Sequence, residues 1–242
     1  MSREVTMVLQ SGEHPKRSEL FDFLEGIAEV SELIRFEERD LEGSLRGPIS
    51  FYLEVGGQPT GIRFSGIPSG HEFNSLILAI LQCGGGDLKL GEDVERVVKA
   101  VDRDLSFTTF ISLSCHNCPE VVQTLNKFCL LNTRISNEMV DGSLFPEIVE
   151  KYDVQSVPLV FLEDELFAGG KISVSNLIEK IQGISQVPVS AWQDLPTQDV
   201  VVIGGGPAGI SAAIYAIRKG LLVTLICEEL GGQVKDTLGI EN

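Results

Sequence analysis

Cys115-His116-Asn117-Cys118 sets two thiols two residues apart, after the apolar run FTTFISLS (107–114) and at the head of an apolar-periodic segment, Cys118 to Leu131. A cysteine at a helix N-terminus meets free backbone N–H groups and the positive end of the helix dipole, which lower its pKa from about 8.5 into the range of roughly 3.5–7.5. Cys115, at the exposed start, is the expected nucleophile. Cys118, one turn inside, is placed to attack a mixed disulfide and release the product in reduced form. His116 either adds positive charge beside the thiolate or is a solvent-exposed spacer. The competing use of the pair is a zinc half-site, but zinc needs four ligands. No second CxxC is present, and His14 and His71 lie far off in sequence without ligand spacing. The strand-CxxC-helix context therefore favours redox chemistry.

Val157-Pro158 opens the strand LVFL downstream of the cysteines. In a thioredoxin-like fold such a proline is cis and faces the thiols, leaving the preceding backbone free to pair with a substrate strand; the plainer reading is a strand that begins with proline. A second motif, Gly204-x-Gly206-x-x-Gly209, follows the apolar strand DVVVI (199–203) and opens a helix. The first glycine supports a tight turn, the second lets backbone approach a pyrophosphate, and the third permits close helix-to-strand packing. Glu228 stands at the end of the next strand, where a carboxylate can bond a ribose hydroxyl. A purely structural glycine turn is the alternative. Cys83, Cys129 and Cys227 have no partner at motif spacing and are expected to be buried or incidental thiols.

These motifs need scaffolds, and the pattern supplies one twice. Residues 5–11 read as a strand, Ser18 to Val30 as a helix, Leu33 to Glu37 as a strand, Gly47-Pro48 as the opening of a further strand, TGIRFSGI as its hairpin partner, and His71 to Gln82 as an apolar helix. After a helix at Glu92 to Val101 the order recurs: strand Phe107 to Leu113, helix Cys118 to Leu131, strand Arg134 to Val140, a short helix Leu144 to Tyr152, the strand after Pro158, a hairpin to ELFAGG, and helix Val174 to Ile181. From residue 182 two prolines and the loss of periodicity indicate a linker. The expected class is α/β: thioredoxin-like fold 1 over 1–91, thioredoxin-like fold 2 with the CxxC over 92–184, a linker over 185–198, and the first βαβ of a Rossmann-like FAD domain over 199–242.

Composition narrows the function. Nineteen Lys+Arg against 35 Asp+Glu give a net charge of −16, which repels the phosphate backbone of nucleic acids and anionic membranes. Five cysteines, an odd and sparse set, do not make a secreted disulfide scaffold, and the N-terminus carries Arg3 and Glu4 without an apolar signal core. The expected location is cytoplasmic. The uncharged run between Asp199 and Arg218 is read as a phosphate loop rather than a membrane span, because of its glycines and proline.

The stretches SLSCHNCPEVVQTLN, FSGIPSGHEFNSLILAI, SVPLVF, GGGPAGISAAIYAIRKG and LGGQVKDTLGIEN together resemble the flavoprotein subunit of bacterial alkyl hydroperoxide reductase, an NADH:peroxiredoxin reductase, from about residue 5 to 242. The resemblance implies tandem thioredoxin-like folds, of which only the second keeps a CxxC; the matching turn of the first reads Gly12-Glu13-His14-Pro15. It implies electron flow from NADH to FAD, to a disulfide of the flavin module, to the N-terminal CxxC, and on to a peroxiredoxin-type peroxidase, the other subunit of that reductase. Cys115 would then attack the partner and Cys118 resolve. Pro158 would face them, and Gly204, Gly206, Gly209, Glu228 and Gln233 would contribute to the FAD site. Glu72, in GHEF, matches a family glutamate that approaches the thiols from the first fold and can exchange a proton with them; otherwise it is an exposed residue favoured by a helix dipole. The resemblance also allows a homodimer of the full-length protein. The sequence begins without the helix usual before the first strand and stops inside the flavin domain, the pattern of a truncated chain. FAD and NAD(H) are thus family cofactors, and FAD is not expected to be held tightly by this length. The rival readings are a free-standing glutaredoxin-like protein disulfide oxidoreductase and a non-catalytic flavin-binding or docking module.

Overall fold

A computed structural model describes residues 1–185, 196–227 and 230–232. The chain divides into two units, Met1–Pro188 and Val189–Asn242. In the first unit the chain runs through β1 (Val5–Gln10), α1 (Arg17–Ala28), β2 (Ile34–Arg39), β3 (Ser50–Val55), β4 (Gln58–Ser65) and α2 (Phe73–Cys83). It continues through α3 (Glu92–Lys99), β5 (Leu105–Ile111), α4 (Cys118–Leu131), β6 (Ile135–Asp141), α5 (Pro146–Lys151), β7 (Leu159–Leu162), β8 (Glu165–Gly169) and α6 (Val174–Ser185).

All eight strands join one sheet in the order β2-β1-β3-β4-β6-β5-β7-β8. The repeat expected from the sequence is therefore topological. In each half the first two strands are parallel, the third runs antiparallel beside the first, and the fourth runs antiparallel beside the third. The halves meet where β4 pairs parallel with β6, Ile62 opposite Asn137 and Ser65 opposite Val140. Phe51 and Phe64 on one side of this join and Phe107, Phe110 and Phe128 on the other are fully buried. Every residue of β1 is buried, as expected of an interior strand covered on both faces.

Polar groups at the join are mostly paired, the buried Asn126 amide nitrogen excepted. The Arg46 guanidinium forks onto Glu138 through bonds of 2.8 and 2.6 Å, and the Ser65 hydroxyl bonds the same carboxylate. Buried Asn137 accepts from Thr109 at 2.8 Å and donates to Asn126 at 2.9 Å. A buried amide left without such partners would cost about 1–3 kcal/mol.

Two elements position the cysteines. Helix α4 begins with Pro119 in its first turn, where the missing N–H costs nothing, and with Glu120 against the positive dipole end. Its Val121, Val122, Leu125, Phe128 and Cys129 recur at helical spacing and are all buried. The second element differs from the sequence expectation of a helix from His71. Gly70–Glu72 forms a 3-10 turn, and the α-helix begins at Phe73. The cause is tertiary: the His71 N–H donates to the Leu113 carbonyl across the sheet, 3.1 Å away.

The second unit contains β9 (Val200–Ile203), α7 (Pro207–Arg218) and β10 (Val223–Ile226), with β9 and β10 parallel. Ile203 and Leu222 are 83% and 60% exposed, so much of this apolar surface lies uncovered among the described residues.

Candidate active site

Cys115 and Cys118 form a disulfide with Cα atoms 5.5 Å apart. Cys118 heads α4 and is fully buried, whereas Cys115 sits in the turn before it and is half-buried. The asymmetry follows from the chain path, since the turn 112–117 leaves the C-terminal end of β5 before α4 folds back over the sheet. Val157–Pro158 is a cis peptide, and the Val157 carbonyl oxygen lies 3.8 Å from Cys115 Sγ. Gly47–Pro48, its counterpart in the first half, is not cis. An open cleft of about 540 Å³ lined by Ser112, Leu113, Ser114, Ser143, Gln155 and Val157 runs up to this point.

The first half reaches the same place. The His71 and His116 rings lie with centroids 4.2 Å apart, tilted by 55°. Gln123, in the second turn of α4, donates to the Ser75 hydroxyl at 3.2 Å. Glu72 lies between these two contacts in the chain and is fully buried, so the reading of an exposed helix-start residue is wrong. Neither of its carboxylate oxygens has a hydrogen-bond partner. Burial pushes its carboxyl up to about 7; the Ser75 hydroxyl, close by but not bonded to it, opposes this only in part. Sequence spacing gave no reason to join His71 to the cysteines, because the contact depends on the β4–β6 join. Among the described residues no three His, Cys, Asp or Glu side chains are grouped to hold a metal.

In the first half the corresponding space is filled. Arg17, in the first turn of α1, donates from Nη1 to the carbonyls of Gln10 and Pro48 and from Nη2 to Glu38 at 2.7 Å. A guanidinium thus bonds the Pro48 carbonyl in the first half, whereas in the second half Cys115 lies beside the carbonyl of Val157, the residue before the proline. Cys83 and Cys129 are buried thiols, with Cys83 pushed up to about 12 and Cys129 higher still by burial, which leaves both inert. Cys227 is only half-buried.

In the second unit, Gly204 has φ +115°, and a β-carbon on Gly209 would overlap the Gly204 carbonyl oxygen. One on Gly206, the N-cap of α7, would meet nothing within 4 Å. A tight turn, an open approach at the helix N-terminus and a close-packed third glycine fit a dinucleotide pyrophosphate. Glu228 and Gln233 lie outside the described residues.

A thioredoxin domain model matches residues 107–182, and an FAD dependent oxidoreductase model matches residues 199–240. The chain is 42% identical over 242 residues to the alkyl hydroperoxide reductase F subunit of Staphylococcus epidermidis, covering 100% of this chain and 46% of that protein. It thus spans about half the length of the curated relatives it matches. Among solved structures, the NTD_N/C domain of the alkylhydroperoxide reductase AhpF of Enterococcus faecalis matches with a TM-score of 0.69 at 33% identity, over 75% of this chain and 92% of that one. A protein disulfide oxidoreductase of Aeropyrum pernix matches with a TM-score of 0.66 at 20% identity, over 76% and 86% of the two chains, a likeness of fold alone. Among the described residues no helix is long and apolar enough to cross a membrane.

Proposed function

The chain belongs to the AhpF family, the flavoprotein subunits of alkyl hydroperoxide reductase, and from that premise we propose that Cys115 and Cys118 are its thiol–disulfide relay, passing two electrons to the disulfide of a peroxiredoxin-type peroxidase. The observation that carries this reading is the asymmetry of the pair: Cys115 is half-buried beside the Val157 carbonyl, and Cys118 is buried behind it. The reduced Cys115 thiolate attacks one sulfur of the partner disulfide, forming a mixed disulfide and expelling the partner's other cysteine as a thiolate. Cys118 then gives up its proton and attacks Cys115 Sγ. The chain disulfide re-forms and two electrons have crossed; the partner leaves as a dithiol, having taken the proton that Cys118 gave up and a second one from solvent. Glu72 is the group assigned to the proton: its carboxyl, held up at about 7, can take one from a thiol and return it near neutral pH. Pro158 keeps the Val157 backbone open to the incoming strand.

The same premise assigns the upstream donor. When bound, FAD supplies two-electron transfer between NADH and a protein disulfide, and Gly204, Gly206 and Gly209 would seat its pyrophosphate, with Glu228 and Gln233 assigned by the resemblance. Residues 1–91 and 92–184 are proposed as the two folds, 185–198 as the linker and 199–242 as part of the flavin domain, in a cytoplasmic protein. The match of residues 199–240 to an FAD dependent oxidoreductase favours this over a free-standing disulfide oxidoreductase. The catalytic pair disfavours a purely docking role. The test is Cys118→Ser: mixed with oxidised peroxidase after reduction, it should accumulate a mixed disulfide through Cys115, seen as a non-reducing band at the summed mass. If no adduct forms through Cys115, the assignment fails.

A further inference from the structure

The first fold has no cysteines of its own at the site, yet its contact with the redox turn is specifically built. Gly70 has φ +54°, and a β-carbon there would come within 2.7 Å of the Leu113 carbonyl oxygen. That oxygen accepts the His71 N–H at 3.1 Å, two residues before Cys115. The backbone of His71 is therefore pinned to the turn that carries the nucleophile. Its ring lies on His116, the residue directly after that nucleophile, with centroids 4.2 Å apart. The other titratable groups on the facing segments are Glu72, buried beside His71, and Glu120, exposed in the first turn of α4; the loop 154–157 adds none.

We propose that His71 is a positioning residue for the dithiol, holding the His116 imidazole so that its N–H donor is presented to the Cys115 thiolate once the disulfide is reduced. A hydrogen-bond donor next to a thiol favours the thiolate. The fold without a CxxC would in this way help set the ionisation of a cysteine in its neighbour. The proposal rests on the reading of Cys115 as the reactive thiol, but not on any partner.

The experiment is alkylation of the reduced chain by iodoacetamide, with Cys115 followed by peptide mass spectrometry from about pH 5 to pH 9. His71→Ala, His116→Ala and the double variant are compared with the parent chain. His71→Ala should slow alkylation of Cys115 on the acidic side by about threefold to tenfold, the change that a shift of half a unit to one unit in thiol ionisation produces, and leave the rate near pH 9 unchanged. In the His116→Ala background it should have no further effect. Identical profiles for the parent and His71→Ala, an undiminished effect without His116, or an equal loss at all pH values would overturn the proposal. No peroxidase enters the assay, so failure of the relay would be seen separately, as unchanged Cys115 alkylation in a chain that does not reduce its partner.

Discussion

A carboxyl with neither solvent nor a hydrogen-bond partner is disfavoured as the carboxylate, and Glu72 is in that position. Its folded-state value of about 7 lies above the ordinary 4.5. Between those values the folded chain keeps a proton that the unfolded chain has lost, so stability is fully present below about pH 4.5, falls as pH rises, and levels off above about pH 7. Glu72→Gln should match the parent chain near pH 4.5 and be more stable near pH 8 by on the order of 3 kcal/mol, read from urea unfolding at the two pH values. The same increment at both would contradict the assignment. The same variant should slow reduction of the peroxidase disulfide if the carboxyl handles the proton. At this scale the sequence revealed what is local: the pairing of Cys115 with Cys118 and the strand opening at Pro158 were legible from their spacing and strand-helix context. The burial of Glu72 and the ring contact of His71 were not, since both depend on which strand of the first half lies beside β6.

Periodicity located the elements but not all of their ends. Helix α4 was legible to the residue because Pro119 and Glu120 mark its start and its apolar stripe is unbroken. Strand β5 begins at Leu105, earlier than the apolar run suggests, because exposed Ser106 alternates with buried Leu105 and Phe107 on an otherwise covered strand. Helix α6 runs on to Ser185, with Ile184 packed against the core. His71 and Glu72, in the turn Gly70–Glu72, were read as helix because no local signal reports a hydrogen bond to Leu113. That turn is also testable. Gly70→Ala must hold φ +54° and place a β-carbon against the Leu113 carbonyl, which should cost about 1–3 kcal/mol. Thermal or urea unfolding of the variant checks this, and unaltered stability would mean that the turn can move away from Leu113 freely.

Across the whole chain, the two folds share one sheet and are joined by backbone pairing and by the Arg46–Glu138 ion pair, so the unit Met1–Pro188 is expected to unfold as a single body. Its tandem character was legible because the same order of elements occurs twice; the continuous sheet was not, since nothing in the sequence fixes the β4–β6 pairing. The second unit has the glycine geometry of a pyrophosphate site, but its described residues expose Ile203, Tyr215 and Leu222. We expect this chain to bind FAD more weakly than about 1 μM, roughly −8 kcal/mol; tighter binding in a fluorescence titration would contradict that expectation. The relay itself is tested most directly by electron transfer. The chain is reduced, freed of reductant and mixed with an oxidised two-cysteine peroxidase, and the partner's thiols are counted. The parent chain should deliver two electrons per Cys115/Cys118 pair and end with that disulfide re-formed, and Cys115→Ser should deliver none. Undiminished transfer by Cys115→Ser would contradict the account.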